Sequence, residues 1–415
     1  MPVAETLTMT EVVIVGGGLA GLTCARRLQA QGRACLVLDA ADAVGGRVRT
    51  DHVDGFQLDR GFQVLLTAYP AAQRWLDYDA LSLRRFSSGA RVWCDGALHV
   101  VSDPTREPGD LLATLKAPVG TLVDKMKIAT LRWAARRGRL DEVFTRPETT
   151  TIEALQAHGF SVEMVERFLR PWLGGIFLDD SLSASSRMLT FVLRMFAEGH
   201  AAVPEAGMRR IPEQLTAGLT PGTVRLNASV VAVGDGGVTL QSGERIAADR
   251  IVVATDGTMA ARLLPELPPT SWRHVTCLYF AAPASPLGAP VLALNGSGAG
   301  LVNNVAVMSD VASRYAPPGQ ALVSVSVLKD APGDDASVAA QVQAELAGWF
   351  GPPVHEWRWL RSYRIPRALP VRRPLERPAP TPVRPGVWAA GDFLTTPSIQ
   401  GAMEIGERVA DAVLA

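Results

Sequence analysis

Cysteine, histidine and aromatic residues are scarce in this chain, and each shortage excludes a class of site. The 415 residues include four cysteines and six histidines, none at the spacing of a zinc or redox motif, so no metal ligand is predicted. Isolated cysteines are typical of buried thiols in a reducing compartment, which favours a cytoplasmic protein. Aromatic residues make up 6% of the chain, too few to predict a stacking platform for single-stranded nucleic acid.

The chain also lacks a net charge and long apolar runs. Forty-one basic residues balance 41 acidic ones, which argues against a nucleic-acid partner for the chain as a whole. No run of 18 apolar residues occurs, and Met1–Thr10 has neither a basic nor an apolar region, so neither a membrane-spanning helix nor a signal peptide is predicted. With 47% hydrophobic residues, the chain can bury the cores of two or three subdomains.

A βαβ unit with a glycine-rich turn opens the chain. Glu11–Val15 predicts a buried strand, 22–31 a helix ended by Gly32, and Cys35–Asp39 a second strand that ends in an acid. In such a unit the glycines allow a tight turn, the approach of a pyrophosphate and close helix packing, and the acid binds ribose. A purely structural glycine turn is the alternative. The predicted dinucleotide contacts are Gly16, Gly18, Leu19, Ala20, Gly21, Asp39 and Ala40.

The residues after Asp39 carry a family resemblance. Gly45-Gly46-Arg47-Val48-Arg49-Thr50 resembles the GGRxxT motif of the flavin-containing amine oxidase superfamily, which includes amine oxidases, protoporphyrinogen oxidases and carotenoid desaturases. The resemblance implies that Gly45, Gly46 and Arg47 help to hold the pyrophosphate of FAD. The segment 55–63 resembles a further family motif, which implies that Gly61 and Phe62 lie near the flavin ring and that Phe62 and Gln63 line its reacting end.

Two later segments resemble the same superfamily. The residues 225–255 predict a strand from Arg225 to Val233 and a hairpin, and the resemblance implies adenine contact by Val230 and a FAD contact by Ala254. The residues 386–410 predict a strand, a Gly-Asp pair and a closing helix, whose N-terminus would face the flavin. The implied contacts there are Gly391, Asp392, Gln400, Gly401, Ala402 and Met403; Gln400 is also a candidate for the reacting end.

The resemblance implies an α/β fold in which a Rossmann-type FAD/NAD(P)-binding domain is interleaved with an α+β substrate domain. The proline-rich segment 361–385 is interpreted as an extended linker between them. The predicted FAD domain takes residues 1–70, 195–260 and 360–415, and the predicted substrate domain takes 71–194 and 261–359.

The expected activity is that of a FAD-dependent oxidoreductase that takes a hydride from a largely apolar substrate to flavin N5, with oxygen or a quinone as acceptor. Amine oxidases of the superfamily place an aromatic residue just before the closing helix, whereas Thr396–Ile399 contains none. An amine oxidase, a redox-neutral isomerase and a non-catalytic binding module stay open as alternatives. No general base stands out. The matching C-terminal segment has no cysteine or histidine, which predicts non-covalent FAD.

Two further segments carry expectations. Leu122, Met126, Ala129 and Trp133 lie at helical spacing among basic residues of 122–139. The favoured interpretation is a solvated helix that buries this stripe; the alternative is a peripheral membrane contact beside a substrate entrance. The stretch from His274 to Ser309 contains no charged residue, which predicts buried strands and would also suit the wall of an apolar cavity.

Overall fold

The computed structural model describes residues 10–415. Its strands are β1 (Thr10–Val15), β2 (Cys35–Leu38), β3 (Thr50–Val53), β4 (Phe56–Asp59), β5 (Leu65–Leu66), β6 (Leu83–Arg85), β7 (Gly89–Cys94), β8 (Ala97–Ser102), β9 (Ala201–Pro204), β10 (Val224–Arg225), β11 (Val230–Gly234), β12 (Gly237–Leu240), β13 (Arg245–Val253), β14 (Trp272–Ala282), β15 (Leu292–Asn295), β16 (Val302–Val307), β17 (Ala321–Val327), β18 (Arg358–Pro370) and β19 (Val387–Ala389). Its helices are α1 (Leu19–Ala30), α2 (Pro70–Trp75), α3 (Leu111–Lys116), α4 (Leu122–Ala135), α5 (Thr151–Ala157), α6 (Val162–Met164), α7 (Arg170–Phe177), α8 (Ser186–Glu198), α9 (Arg210–Ala217), α10 (Gly257–Leu263), α11 (Met308–Val311), α12 (Asp335–Phe350) and α13 (Ile399–Leu414).

The first sheet confirms the predicted Rossmann-type α/β fold. Five parallel strands lie in the order β19-β13-β1-β2-β10, and the antiparallel hairpin β11-β12 extends the sheet from the first half of β13. The apolar residues Val12 to Val15 are buried, as expected for a strand covered on both faces. The single strand predicted from Arg225 to Val233 is wrong: Asn227, at φ +54°, turns the chain between β10 and β11.

Two long helices cross on this sheet at close range. A side chain at Gly406 of α13 would collide with the carbonyl oxygen of Ala20 in α1, so glycine allows the two helix backbones to touch. Arg27 also pairs with Asp411 at 2.7 Å. The first and last helices of the described chain are thus packed against each other.

The second sheet has the order β18-β14-β17-β16-β15-β7-β8. Side chains alternate across it: Leu278 and Phe280 face a core that includes α12, whereas Cys277 and Tyr279 face the opposite core. Much of the charge-free stretch lies in β14, β15 and β16, which confirms the prediction of buried strands.

The linker prediction is wrong from Arg361 to Pro370. Residues 358–370 form β18, which pairs with β14 along most of its length. Pro366 and Pro370 are tolerated because β18 is an edge strand, where one side of the backbone needs no partner. The predicted domain boundary at 360 falls inside this strand, and the chain rejoins the first sheet only at β19. The other boundaries stay predictions.

Helix α4 contradicts the favoured interpretation of the basic segment. Its buried carboxylate, Asp124, accepts hydrogen bonds from Thr121 and Ser161 and is 1% exposed. The stripe that was expected to be buried is exposed instead, with Met126 at 63% and Trp133 at 57%. Within residues 10–415, every helix falls short of the length or hydropathy needed to cross a bilayer.

Candidate active site

A cavity of about 1460 Å³ runs from the N-terminus of α1, past the second sheet, to α3 and α4. Its walls are formed by segments that lie far apart in the sequence and that were predicted to form one site. The predicted residues that line it are Gly16, Gly18, Leu19, Ala20, Asp39, Ala40, Gly45, Gly46, Arg47, Gly61, Phe62, Gln63, Val230, Ala254, Gly391, Asp392 and Ala402.

The turn before α1 forms an open backbone cradle. Gly16 has φ +114°, and a side chain there would lie 2.6 Å from the carbonyl oxygen of Ala254. At Gly18, the N-cap, a side chain would meet no atom within 4 Å, and no side chain caps the helix. The first-turn N–H groups of α1 therefore lie at the cavity without a capping side chain. This arrangement fits a pyrophosphate, which helix N-termini bind through N–H groups and the helix dipole.

Asp39 is fixed beside this cradle by two backbone groups. Its Oδ2 accepts a hydrogen bond from Gly17 N at 2.6 Å, and its Oδ1 accepts one from Ala41 N at 2.7 Å. A carboxylate offers about four acceptor positions, so two remain for the hydroxyl groups of a ribose. The carboxylate thus fits its predicted role without rearrangement.

Arg47 and Asp392 join the two ends of the chain inside the cavity. Arg47 Nη2 lies 2.6 Å from Asp392 Oδ1, and its Nη1 donates to Ala368 O at 2.9 Å. Burial alone would lower the pKa of Arg47, but the charge and hydrogen bond of Asp392 raise this pKa above its ordinary value. The pair leaves Arg47 charged next to the glycines of the cradle, where a pyrophosphate fits.

Four predicted contacts lie outside the cavity lining. Gln400 points into the protein: its Oε1 accepts from Ala71 N at 2.8 Å and its Nε2 donates to Glu404 at 3.2 Å. Gln400 is therefore not placed at the reacting end, which corrects that expectation. The reason is rotation along a helix: Ser398, Ile399 and Ala402 face the cavity, and neighbours of these positions turn away by about 100° per residue.

The other three are structural in their observed contacts. Gly21 lets α1 lie against the first strand, since a side chain there would collide with Gly16 O. Gly401 N donates to the N-cap Ser398 Oγ at 3.0 Å, and Met403 is fully buried. Any role of these residues in binding FAD stays a prediction.

A buried carboxyl group supports the loop beside Phe62 and Gln63. Asp59 accepts hydrogen bonds from Thr50 Oγ1 at 2.5 Å, Tyr315 OH at 2.7 Å and Met208 N at 3.0 Å. Burial raises the pKa of Asp59 to about 6, although these hydrogen bonds oppose the shift. Gln63 Nε2 donates to Arg47 O at 2.9 Å, so its amide holds the loop rather than standing free in the cavity.

The other wing of the cavity is apolar, and its aromatic rings, apart from Phe62, were missed from the sequence. Trp172 stacks on Phe168 with ring centroids 5.6 Å apart and meets Phe196 at 5.5 Å, and Phe62 meets Phe86 edge-on at 6.0 Å. All five rings line the cavity. The spacing of Met188, Val192 and Phe196 at every fourth position of α8 was the available signal for a cavity-facing stripe.

Two polar side chains stand among these apolar ones. Asn304 and Ser326 lie opposite each other on β16 and β17, and both line the cavity. Asn304 is 4% exposed, and its Nδ2 is buried without a hydrogen-bond partner among the described residues. An unpartnered buried amide donor costs free energy, so this atom is suited to an oxygen acceptor on a bound molecule.

The carboxylates that line the cavity within the described residues are all engaged. Asp39 accepts from the two backbone N–H groups, and Asp392 pairs with Arg47. Asp256 pairs with Arg367 at 3.1 Å, and Asp103 pairs with Arg132. Three of the four lining carboxylates are thus paired with arginines, and Asp39, the fourth, lies beside the dinucleotide cradle.

Basic groups lie near the outer end of the cavity. Arg106, Arg132 and Arg136 line it there. Burial and the neighbouring charge of Arg132 lower the pKa of Arg106, and burial together with Arg106 lowers that of His200. This end of the cavity therefore carries positive charge.

Comparison with known proteins agrees with this geometry. The model of the family described as flavin containing amine oxidoreductase matches residues 19–414. The coproporphyrinogen III oxidase of Mycobacterium tuberculosis (strain H37Rv) is 28% identical over 229 residues, which are 52% of this chain and 46% of that protein. The chain thus aligns with about half the length of the first such relatives. The enzyme of that name from Propionibacterium freudenreichii is 26% identical over 97% of this chain and 91% of its own.

Two further comparisons concern an amine oxidase and the fold. Putrescine oxidase of Kocuria rosea is 33% identical over 131 residues, which are 31% of this chain and 26% of that protein. The crystal structure of an oxidoreductase from Methanosarcina mazei superposes with a TM-score of 0.76 over 98% of this chain and all of that one, at 17% identity, and so shares the fold. The chain therefore belongs to the flavin containing amine oxidoreductase family, and the FAD cofactor predicted from the sequence agrees with that family.

Proposed function

We propose that this protein is a FAD-dependent oxidoreductase that dehydrogenates a bulky, largely apolar substrate held in the aromatic wing of the cavity. The observation that carries this proposal is the continuity of one cavity from the dinucleotide cradle at Gly16 and Gly18 to the rings of Phe168, Trp172 and Phe196. A cofactor at one end and an apolar pocket at the other is the usual arrangement of a cofactor enzyme.

The charges of the lining favour a neutral reacting end over an amine. A protonated amine in a buried site needs a carboxylate or an aromatic cage to replace its hydration. Each lining carboxylate is already paired or hydrogen-bonded, and Thr396–Ile399 supplies no ring. A neutral, apolar body carries no charge that needs such a partner, and this wing can bind and orient it.

Asn304 gives the substrate one polar feature. Asn304 and Ser326 line the apolar wing, and the Asn304 Nδ2 atom is buried without a hydrogen-bond partner among the described residues. An oxygen acceptor such as a carbonyl, carboxylate or hydroxyl group would satisfy the buried donor and fix the apolar body in one orientation.

These positions assign a separate role to the cofactor and to each group of lining residues. FAD, when bound, supplies a hydride acceptor at N5 and passes the electrons to oxygen or a quinone. The α1 cradle, Asp39 and Arg47 hold the cofactor; Phe62 and the aromatic wing orient the apolar body; Asn304 positions its oxygen. Dehydrogenation of the substrate transfers a hydride to the flavin and releases one proton, and no lining side chain is assigned as the base that takes this proton; the assigned roles are therefore confined to binding and orientation.

An anaerobic reduction experiment tests the proposal. Oxidised enzyme is mixed with coproporphyrinogen III, with an isoprenoid polyene and with putrescine, and the visible absorbance of FAD is followed. The names of the relatives motivate the first and last compounds. Loss of absorbance with the polyene, or with coproporphyrinogen III, whose apolar macrocycle carries carboxylate side chains, but not with the amine is expected. Fast loss with putrescine alone would replace the proposal by the amine oxidase alternative.

A matched pair of variants connects the reaction to the wing. Phe196→Ala removes a ring from the cavity, whereas Phe350→Ala removes a half-buried ring from the second core, packed against Trp349. Phe196→Ala should slow reduction by the active compound more than tenfold, and Phe350→Ala should leave its rate within about twofold. Equal rates would place the substrate elsewhere. An intact yellow protein that no compound reduces, but whose spectrum shifts when one binds, would favour the isomerase or binding-module alternative.

A further inference from the structure

The exposed apolar side chains of this protein are concentrated on one surface. Seven of the eleven large hydrophobic residues that are exposed among the described residues lie in α3 and α4, and Leu112 reaches 69% exposure. Isolated exposed apolar residues are ordinary, but a contiguous group marks a contact surface. We call this the α3–α4 surface; it comprises Leu111, Leu112, Leu115, Leu122, Val123, Met126 and Trp133.

Helix α4 is held so that this surface faces outward. Asp124 is buried and anchors the start of the helix to Thr121 and Ser161, and Ile128 and Leu131 pack against the first core. The helix therefore has satisfied inward contacts, and the outward stripe through Met126 and Trp133 is not left over from poor packing. Turning the stripe inward would expose Asp124's network and lose those contacts.

The rim of the α3–α4 surface is basic. Lys116 is the last residue of α3, and Arg136, Arg137 and Arg139 follow α4, all of them exposed. The Arg137 guanidinium lies 3.5 Å from the centre of the Trp133 ring. Apolar side chains ringed by long basic ones, with an indole at the border, are the composition of a surface that rests in the headgroup region of an anionic bilayer.

The same surface surrounds the outer end of the cavity. Three residues of the α3–α4 surface also line the cavity: Leu111, Leu115 and Trp133. Ala129 of α4 and Arg136, which follows that helix, line it as well. A water-insoluble molecule that enters between α3 and α4 would pass from the surface to the aromatic wing without crossing open water. Docking and access are thus provided by the same two helices.

We propose that the α3–α4 surface docks this protein on an anionic lipid bilayer and admits its apolar substrate from the lipid. The docking step depends only on the surface described here; the admission step rests on the proposed function. Anionic lipid is the occupant that the charge of the rim favours, since each basic residue near such a surface contributes about 1 kcal/mol, or about a fivefold change in partitioning.

Vesicle co-sedimentation tests the docking step with the FAD-loaded protein. Vesicles of phosphatidylcholine, with or without phosphatidylglycerol, are mixed with protein at low and at high salt. Binding to the anionic vesicles at low salt is expected, with at least tenfold less binding to the neutral ones. High salt should weaken the binding, because the Debye length falls from about 10 Å at 0.1 M to about 3 Å at 1 M. Absence of binding to anionic vesicles at low salt would overturn the proposal.

Variants assign the binding to this surface. Leu112→Ser combined with Met126→Ser changes two exposed side chains and should reduce vesicle binding more than tenfold. Val231→Ser is the matched control, since Val231 is 52% exposed on β11 in the first sheet, and it should bind as the unchanged protein does. Lys116→Gln with Arg137→Gln should weaken binding about 25-fold in low salt. Equal binding by all variants would overturn the proposal.

Two outcomes separate this inference from its rivals. The first outcome is self-association in sedimentation velocity. If the protein self-associates without binding vesicles, and Leu112→Ser with Met126→Ser abolishes the self-association, the surface is assigned to a second copy of the chain and lipid docking is overturned.

The admission step is tested by supplying the compound that reduces FAD either in detergent or in anionic vesicles. A rate that falls at least tenfold in the double serine variant only with vesicles supports it; an equal fall in detergent would show a damaged active site and overturn it.

Discussion

The buried carboxyl group of Asp59 predicts how stability changes with pH. Its pKa is raised from 3.8 to about 6 in the folded protein because burial disfavours the charged form. A raised pKa means that the folded state binds the proton more tightly, so stability is lost as pH rises through 6. At 1.36 kcal/mol per pKa unit, the raised pKa of Asp59 lowers the free energy of unfolding by about 1.6 kcal/mol at pH 5 and by about 3 kcal/mol at pH 8.

Asp59→Asn removes this titration and keeps most of the hydrogen bonds. The amide oxygen can still accept from Thr50 and Met208, and the amide nitrogen can donate to the Tyr315 hydroxyl. The free energy of unfolding of the variant minus that of the unchanged protein should therefore increase by about 1.4 kcal/mol from pH 5 to pH 8. Urea unfolding of both FAD-loaded proteins across this range measures the difference.

An exposed aspartate provides the control. Asp54 has a side chain that is 59% exposed and pairs with Arg358 at the surface, so Asp54→Asn serves as the matched surface substitution. Tyr315→Phe removes a donor to the Asp59 carboxylate and should steepen the loss of stability above pH 6. A difference between Asp59→Asn and the unchanged protein that does not vary from pH 5 to pH 8 would refute the reasoning.

Three further predictions concern the cofactor and α4. Asp39→Ala should weaken FAD binding by about 1–3 kcal/mol, because it deletes charge-assisted hydrogen bonds to ribose; fluorescence titration of the apoprotein measures this, and an unchanged dissociation constant would remove Asp39 from the site. Acid precipitation should release all the yellow colour, since the four cysteines are buried outside the cavity lining; colour that stays in the pellet would contradict non-covalent binding. Asp124→Ala should lower the free energy of unfolding by at least about 1–2 kcal/mol through loss of an N-terminal capping box, as measured by urea unfolding; Asp141→Ala, at an exposed carboxylate, serves as its control.

The sequence was most informative where backbone chemistry dictates the residue. Gly16 must adopt positive φ and Gly406 must touch a helix backbone, and no other residue type does either well. The glycine-rich turn, the acid at Asp39 and the Gly-Asp pair at 391–392 were therefore recognisable, and the cavity brings them together. The same local patterns of strand, glycine turn and helix predicted the Rossmann-type sheet.

The errors arose where neighbours in space decide the outcome. The side chain of Gln400 turns inward because the closing helix begins at Ile399, and a difference of one residue rotates a helical side chain by about 100°. The prolines of β18 suggested a linker because its place at the sheet edge is set by tertiary pairing. Helix α4 has apolar residues on two faces, and only the location of Asp124 shows which face is inward.

The pairing of β1 with β13 has a consequence for biosynthesis. Val13 of β1 lies beside Ile251 of β13, and Ile251 lies beside Val387 of β19. Strand β1 therefore cannot pair with β13 until about 240 more residues have been synthesised. At about 5–20 residues per second, β1 leaves the ribosome about 10–50 s before β13 does, and β19 and α13 follow later still. The apolar strand needs protection during that interval, and the cavity acquires its full lining only after translation of α13.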